Sequence, residues 1–495
     1  MNEMAPPAAS AALLRPGETC WRLEQAGRLA VIVDADEYFR IARAAMLAAR
    51  HRIMLIGWDF DARITLGAGN QDAAPDQLGE FILWLVRNRP ELNVYLLRWD
   101  LGAVKTLFRG STIITLARWM WHDRIHTKLD GAHPTGASHH QKIVVLDDET
   151  AFCGGIDMTG ERWDTRAHRD ADPGRVSPAG QPYKPWHDAT TALEGPAAAA
   201  LGELAVDRWH AAGGRKVVPV PRGNSCWPAA LTPQFEDVAV AIARSYPEMP
   251  ERAPVREVER LHLELIAAAR RCIYAESQYF ASRRVAEAIA RRLAEPDGPE
   301  IVLINPVSAQ GWLEPVAMDT ARARLHEALR RLDTTGQRFR LYHPVTASGE
   351  AIYCHAKIMI VDDRVLRIGS SNLNNRSMRL DTECDVAIDA GDPRQPALAA
   401  RIRDIRDDLL AEHLGLTAAA VAEAIAAEGS LIGAIEALRG PGRSLRPYEE
   451  PDLGAVEAWL ADHEVLDPEG PEEMFEALSK RGLFRGRLRR LKPAG

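Results

Sequence analysis

Runs of β-branched and aliphatic residues alternate along this chain with segments whose apolar positions recur every three or four residues. Asp34-Ala35-Asp36 precedes Tyr38 to Arg50, where the apolar spacing predicts a helix. Ile53 to Trp58 reads as a buried strand, Gln77 to Asn88 as a second helix, and Leu92 to Leu97 as a second strand. The stretch from Trp119 to His139, with Gly131, Pro134 and Gly136, reads as a loop. It delivers a strand that turns at Asp147-Asp148 and returns through Thr150 to Cys153. Glu161 to Tyr183 is polar and reads as a long surface loop. Ala189 to Leu193 is then a strand and Ala197 to His210 a helix. Such alternation predicts an α/β fold with a mainly parallel or mixed sheet.

The pattern then starts again. Gly, Pro and Ser dominate between about 211 and 235, after which Asp237 to Arg244 reads as a strand and Val258 to Arg271 as a helix. Ile273 to Phe280 stands where Ile53 to Phe60 stood. His140-Gln141-Lys142, followed by Asp147, returns as His355-Ala356-Lys357 and Asp362. Gly154 and Gly369 each follow their histidine by 14 residues, and Asp157 and Asn372 each by 17. Polar residues kept in register over such a window indicate a duplicated unit. The expected organisation is a leader (1–28), a first repeat (29–225), a second repeat (226–412) and a helical C-terminal extension with a basic tail (413–495). The expected fold is two similar α-β-α halves with mixed β-sheets, packed about a pseudo-two-fold axis. Since the first repeat begins near residue 29, no N-terminal lipid-binding module is expected.

On an extended strand His140 and Lys142 share one face, as do His355 and Lys357. Asp147 and Asp362 have the opposite parity and fall at turns, so within the repeated motif they are expected chiefly to shape the backbone. If the two faces meet, one cleft holds two imidazoles and two ammonium groups. Lysines bind a tetrahedral anion, one neutral imidazole can attack phosphorus, and a protonated one can serve the leaving oxygen. Asp188 and Glu383, each beside a predicted strand, are candidates to orient the histidines. No metal ligand set and no cofactor are expected. His139, His187, Cys354 and the tryptophans Trp119, Trp121 and Trp312 are expected to be structural.

Composition narrows the reading. The chain has 495 residues, 46% apolar and 26% charged, with a net charge of −8, which disfavours a general nucleic-acid partner. The six cysteines form no CxxC pair, as in a reducing compartment. No window approaches the roughly 20 apolar residues of a membrane span, and the start of the chain lacks the layout of a secretory signal. A cytoplasmic protein is expected. Leu483, Phe484, Leu488 and Leu491 among Arg485, Arg487, Arg489 and Arg490 suggest a basic tail that touches an anionic membrane surface.

Both motifs resemble those of the phospholipase D superfamily. The second continues as Gly369-Ser370-Ser371-Asn372-Leu373-Asn374-Asn375-Arg376-Ser377-Met378 and Asp381-Thr382-Glu383. The first is accompanied by Gly154-Gly155-Ile156-Asp157, Arg162-Trp163-Asp164, Pro185-Trp186-His187-Asp188 and Leu193-Glu194-Gly195-Pro196. These runs resemble the phospholipase D branch and span roughly residues 30 to 410. The chain departs from the pattern at Glu276-Ser277-Gln278-Tyr279-Phe280, where the family often has Asn second, and at Gly155 and Asp157, which oppose Ser370 and Asn372. The resemblance implies two α/β halves sharing one site and a phosphohistidine intermediate. His140 would be the nucleophile and His355 the acid/base, with Asp147 and Asp362 completing the two catalytic motifs. Lys142, Lys357 and Asn372, with Asp157 at the matching place, would hold the phosphoryl oxygens, and Asp188 and Glu383 would orient the histidines. It further implies a phospholipid substrate, water or an alcohol as acceptor, and no obligate partner chain. Phosphatidyl transfer of the cardiolipin synthase kind and nuclease chemistry are the alternatives within the superfamily.

Overall fold

The computed structural model describes residues 12–67, 72–100, 112–309, 318–391 and 395–449. The basic tail and Trp312 lie outside these residues. In the first half the chain runs β1 (Arg22–Val33), α1 (Ala35–Ala48), β2 (Arg52–Gly57), α2 (Leu78–Asn88), β3 (Asn93–Trp99), α3 (Thr112–Met120), β4 (Ile125–Asp130), β5 (Ile143–Leu146), β6 (Thr150–Gly154), β7 (Trp186–His187), β8 (Ala189–Glu194) and α4 (Pro196–Ala211). The second half runs β9 (Phe235–Tyr246), β10 (Val255–Arg256), α5 (Glu257–Ala268), β11 (Cys272–Glu276), α6 (Arg283–Leu293), β12 (Glu300–Ile304), α7 (Thr320–Leu332), β13 (Phe339–Val345), β14 (Tyr353–Cys354), β15 (Ile358–Val361), β16 (Val365–Gly369), a wide helical turn at Arg376–Leu380 and β17 (Glu383–Asp389). It closes with α8 (Pro396–Leu414), α9 (Ala418–Glu428), α10 (Leu431–Leu438) and β18 (Ser444–Pro447).

Hydrogen bonding joins both halves into one mixed sheet of 16 strands, in the order β18-β13-β12-β11-β15-β16-β17-β9-β1-β8-β6-β5-β2-β3-β4, with β10 beside β9. The order is a palindrome of roles about the antiparallel pair β1–β9. On either side come a late strand (β8, β17), a hairpin (β6–β5, β16–β15) and three parallel strands (β2-β3-β4, β11-β12-β13). The sheet folds over at this centre, so that β6 and β8 also pack against β16 and β17. That doubled region carries the apolar core shared by the halves. Helices α1 and α2 cover one outer face of the first half, and α5 and α6 cover that of the second.

Both motif hairpins turn the same way for the same reason. Asp147 and Asp148 (φ 51° and 53°) and Asp362 and Asp363 (φ 56° and 57°) occupy left-handed backbone, closed by Glu149 N–H to Leu146 O and Arg364 N–H to Val361 O. Aspartate tolerates this conformation, and two such residues match the twist of a hairpin. Each aspartate then clasps the strand next door. The Asp147 carboxylate accepts the backbone N–H groups of Arg50, His51 and Arg52, and Asp362 those of Arg270, Arg271 and Cys272. The repeated glycines sit where strands nearly touch. A Cβ on Gly154 would lie 2.3 Å from the Thr190 Cα, and one on Gly369 2.5 Å from the Asp385 Cα.

Several expectations need correction. Strand β1 begins at Arg22, inside the expected leader, because Leu23 and Ala26 pair with Ala241 and Val238 of β9 in the second repeat. The stretch expected to be a loop before His139 contains β4, an edge strand whose burial alternates. The polar segment 161–183 is not simply surface: Asp164, His168 and Arg175 are buried. The expected boundary between 412 and 413 cuts α8, and the extension beyond it supplies not only helices but also β18, which pairs with β13. Trp119 is buried as expected, whereas Trp121 is 85% exposed.

Candidate active site

His140 and Lys142 lie in the extended segment that enters β5, and His355 and Lys357 in the one that enters β15. At these entries the two halves exchange backbone bonds. His140 N–H donates to Thr382 O (3.0 Å), and His355 N–H donates to His187 O (2.7 Å). Thr382 and His187 immediately precede the two candidate orienting carboxylates, so the pairing delivers each acid to the histidine of the opposite half. His140 Nδ1 lies 3.0 Å from both Glu383 oxygens, and His355 Nδ1 lies 2.6 Å from Asp188 Oδ2. With Nδ1 committed to a carboxylate, Nε2 is the ring nitrogen left for chemistry. Each lysine folds back onto its own motif, Lys142 Nζ donating to His140 O at 2.9 Å and Lys357 Nζ to His355 O.

Beyond this symmetry the halves differ. Asp157 Oδ2 lies 3.1 Å from Lys142 Nζ, and its Oδ1 accepts the Trp58 N–H. A carboxylate placed there repels a phosphoryl oxygen. Asp157 therefore neutralises and positions Lys142, which corrects its expected part in holding phosphate. Asn372, its counterpart, leaves Lys357 without an ion pair among the described residues, and Asn372 Oδ1 is buried with no hydrogen-bond partner. Ser370 Oγ donates to Glu383 and accepts the Cys384 N–H. Gly155 at the matching position leaves room for Asp188, whose Oδ1 would stand 2.2 Å from a Cβ there and instead accepts the Ala189 N–H.

Burial and charge set the protonation. Burial first, then Lys142 and Lys357, hold His140 well below the ordinary histidine range. Burial, then Lys357, Arg162 and Lys142, do the same to His355. Burial also lowers Lys357 to about 7, with Lys142 adding to the effect against the pull of Asp188. Glu383 and Asp188 are both pushed up by burial. Burial beside the lysines thus favours neutral imidazoles at His140 and His355, and a nearby anion would raise Lys357 and both histidines.

Asp147 and Asp362 do not join this site. Five residues of extended chain, about 16 Å at roughly 3.3 Å per residue, separate Lys142 from Asp147, and the same holds for Lys357 and Asp362. Their role is the backbone clasp, which corrects their grouping with the catalytic residues. His139 Nδ1 lies 2.9 Å from Thr382 Oγ1 in a fully buried position, and Cys354 is core.

Sequence reasoning assigned no role to two groups beside the cleft. The Arg162 guanidinium stacks 4.2 Å from the Trp186 ring, and Trp186 packs against the His355 ring with centroids 5.0 Å apart. Arg162 thus adds a third basic side chain whose charge acts on His355. Asp164 accepts the Trp186 N–H and the Arg175 guanidinium, which ties segment 161–183 to β7. The Arg-Trp-Asp run inside an otherwise polar stretch was the available signal.

Comparison with known proteins gives a consistent pattern. The family model described as "Phospholipase D" matches residues 45–285, and "Cardiolipin synthase, PLD-like domain" matches residues 262–404. Phospholipase D alpha 1 of Carica papaya and of Arabidopsis thaliana are each 25% identical to this chain over 75% of its length. The chain spans 63% of the length of these relatives. Among solved structures, the phosphatidylserine synthase of Haemophilus influenzae Rd KW20 superposes with a TM-score of 0.52 at 14% identity, over 78% of this chain and 88% of that one, which is a likeness of fold.

Proposed function

Because the chain belongs to the phospholipase D superfamily, we propose that it cleaves or exchanges the distal phosphodiester of a glycerophospholipid through a phosphohistidine intermediate. The reciprocal arrangement at the cleft, in which each motif histidine is oriented by a carboxylate from the other half, carries the reading. His140 Nε2 attacks phosphorus while Lys142, Lys357 and Asn372 hold the non-bridging oxygens. Glu383 balances the charge that grows on the imidazole. Once the substrate anion has offset Lys142, Lys357 and Arg162, His355 takes up a proton and gives it to the departing head-group oxygen. It then removes a proton from water or an alcohol, which displaces His140 and releases phosphatidic acid or a new phosphatidyl ester. Two chemical steps through one covalent intermediate predict ping-pong kinetics.

A lipid substrate suits the surroundings. Met120 (72% exposed) borders a cavity of about 290 Å³ lined by Phe60, Leu96, Trp119 and Leu129 together with Arg98 and Lys128, a place for contact with acyl chains and an anionic surface. Among the described residues no single helix is long and apolar enough to cross a membrane. Membrane contact in this reading is peripheral, and vesicle sedimentation after deletion of residues 480–495 measures the share of the basic tail. The test of function is turnover of phosphatidylcholine, phosphatidylethanolamine and phosphatidylglycerol, with and without a primary alcohol. Head-group release, diverted to a phosphatidyl alcohol when alcohol is present, is expected. Cleavage of DNA or RNA with no turnover of any lipid contradicts the reading.

A further inference from the structure

Next to the cleft lies a second set of ionisable groups that the phosphodiester chemistry does not use. Asp34, His168, His187 and Glu412 are buried together, and one donor atom from each lies within 4.8 Å of all the others. They come from distant places: the β1–α1 junction, segment 161–183, β7 and the last turn of α8. His168 Nε2 is 3.5 Å from Asp34 Oδ2 and 3.2 Å from Glu412 Oε1. His187 Nδ1 is 3.3 Å from Asp34 Oδ1 and 2.8 Å from Glu412 Oε1. Four donors at about 2.0–2.2 Å from a tetrahedral ion stand about 3.3–3.6 Å apart, so small shifts would bring this set to that geometry.

Three further observations point to an ion. Asp34 precedes α1, yet its side chain makes no cap bond to that helix and instead turns into the cluster, where Oδ2 is buried without a hydrogen-bond partner. Both imidazoles are also held from behind. His168 Nδ1 lies 3.0 Å from Asp164 Oδ2, and His187 Nε2 lies 2.7 Å from Glu276 Oε2. A proton on each of those outer nitrogens leaves the lone pairs of His168 Nε2 and His187 Nδ1 facing the centre, the carboxylate–histidine–metal arrangement. Glu412 is also held from behind, since its Oε2 pairs with Arg166 and leaves Oε1 toward the centre with the two imidazoles.

We infer that Asp34, His168, His187 and Glu412 bind one zinc ion in a closed, four-coordinate structural site. Two imidazoles disfavour calcium and magnesium, and two carboxylates without thiolate disfavour copper(I). The ion ties helix α8 to the first half and fixes β7, which leads directly into the carboxylate orienting His355. Asp188 N–H donates to Asp34 Oδ1 at 3.1 Å, and His187 O holds His355 N–H. Asp34, His168, His187 and Glu412 are therefore positioning residues for His355, with no contact to the substrate. If no ion binds, the carboxylates outweigh the effect of burial and keep both imidazoles protonated, and the same cluster is a proton-held network.

The experiment measures the metal content of the full-length protein after exhaustive dialysis, together with X-ray absorption at the zinc edge. About one zinc per chain is expected, with nitrogen and oxygen neighbours at about 2.0–2.1 Å, two of them imidazole, and no sulfur. His168→Ala and the size-conserving Glu412→Gln are expected to lose the zinc. In the wild type, chelation is expected to lower Tm and added zinc to restore it. Protein that remains metal-free after incubation with zinc and dialysis overturns the inference. So does zinc bound through sulfur or mostly water, or zinc retained equally by both variants. If neither variant folds, the wild-type absorption spectrum decides between the same outcomes.

Discussion

Laid over one another, the two halves share a hairpin, a histidine, a lysine and an orienting acid, and they differ where the lysine meets charge. In the first half Asp157 pairs with Lys142; in the second Asn372 stands at the matching position, Lys357 has no ion pair among the described residues, and burial holds it near 7 against the pull of Asp188. The acids differ too. Glu383 is steadied by the Ser370 hydroxyl, whereas Asp188 is steadied by a backbone N–H, with Gly155 making room. A duplicated unit supplies the common parts, and single substitutions at paired positions let the halves take unequal roles. Lys142 is held by a carboxylate 3.1 Å away, while Lys357 is held near 7 by burial.

The largest effect should come from breaking the exchange of acids. Glu383→Gln and Asp188→Asn should each lower kcat/KM by about 10²–10⁴-fold, the range in which positioned acid–base groups act. If the acids serve the opposite half, Glu383→Gln slows formation of the covalent intermediate through His140, while Asp188→Asn slows both its formation and its breakdown through His355. Rapid-quench kinetics separates the two. Identical effects on both steps would mean that the halves are interchangeable.

The lysines sharpen the contrast. Lys357→Ala should reduce kcat/KM by about 10²–10³-fold through loss of charge stabilisation at phosphorus. Lys357 must be protonated to act, and its folded value of about 7 lies below its ordinary one. Raising pH through 7 therefore discharges it, and kcat/KM falls on the alkaline side. Lys357→Arg, which keeps its charge, should flatten that limb. A pH profile unchanged in the arginine variant would assign the limb to another group.

A milder test makes the first half resemble the second. Asp157→Asn removes the partner of a buried ammonium, at a cost of about 3 kcal/mol of stability. Inorganic phosphate should recover part of that loss, so the rise of Tm with phosphate is expected to be larger in the variant than in the wild type. An equal rise in both would place Lys142 away from the anion.

Much of this comparison was legible in the sequence, because a duplicated hairpin repeats its residues at fixed spacing. The period-2 arithmetic that put His and Lys on one face also set Asp147 and Asp362 apart, and the backbone clasp explains why aspartate stands there. What escaped were features made by partners far along the chain. Strand β4 is a half-exposed edge strand whose His126, Thr127 and Lys128 dilute any apolar signal, and β18 is strand only because β13 offers it an edge. No spacing could assign Glu383 to His140, since 243 residues separate them. Segment 161–183 looked like a surface loop because its charged residues are buried against one another rather than against apolar side chains.

The central claim is that two similar halves build one site with unequal histidines. The most direct measurement is to quench turnover of a phospholipid labelled at phosphorus and locate the covalent adduct by mass spectrometry in the wild type, His140→Ala and His355→Asn. The adduct should sit on His140, vanish in His140→Ala, and in His355→Asn form and decay slowly at the same residue. An adduct on His355, or one that survives His140→Ala, would contradict the account.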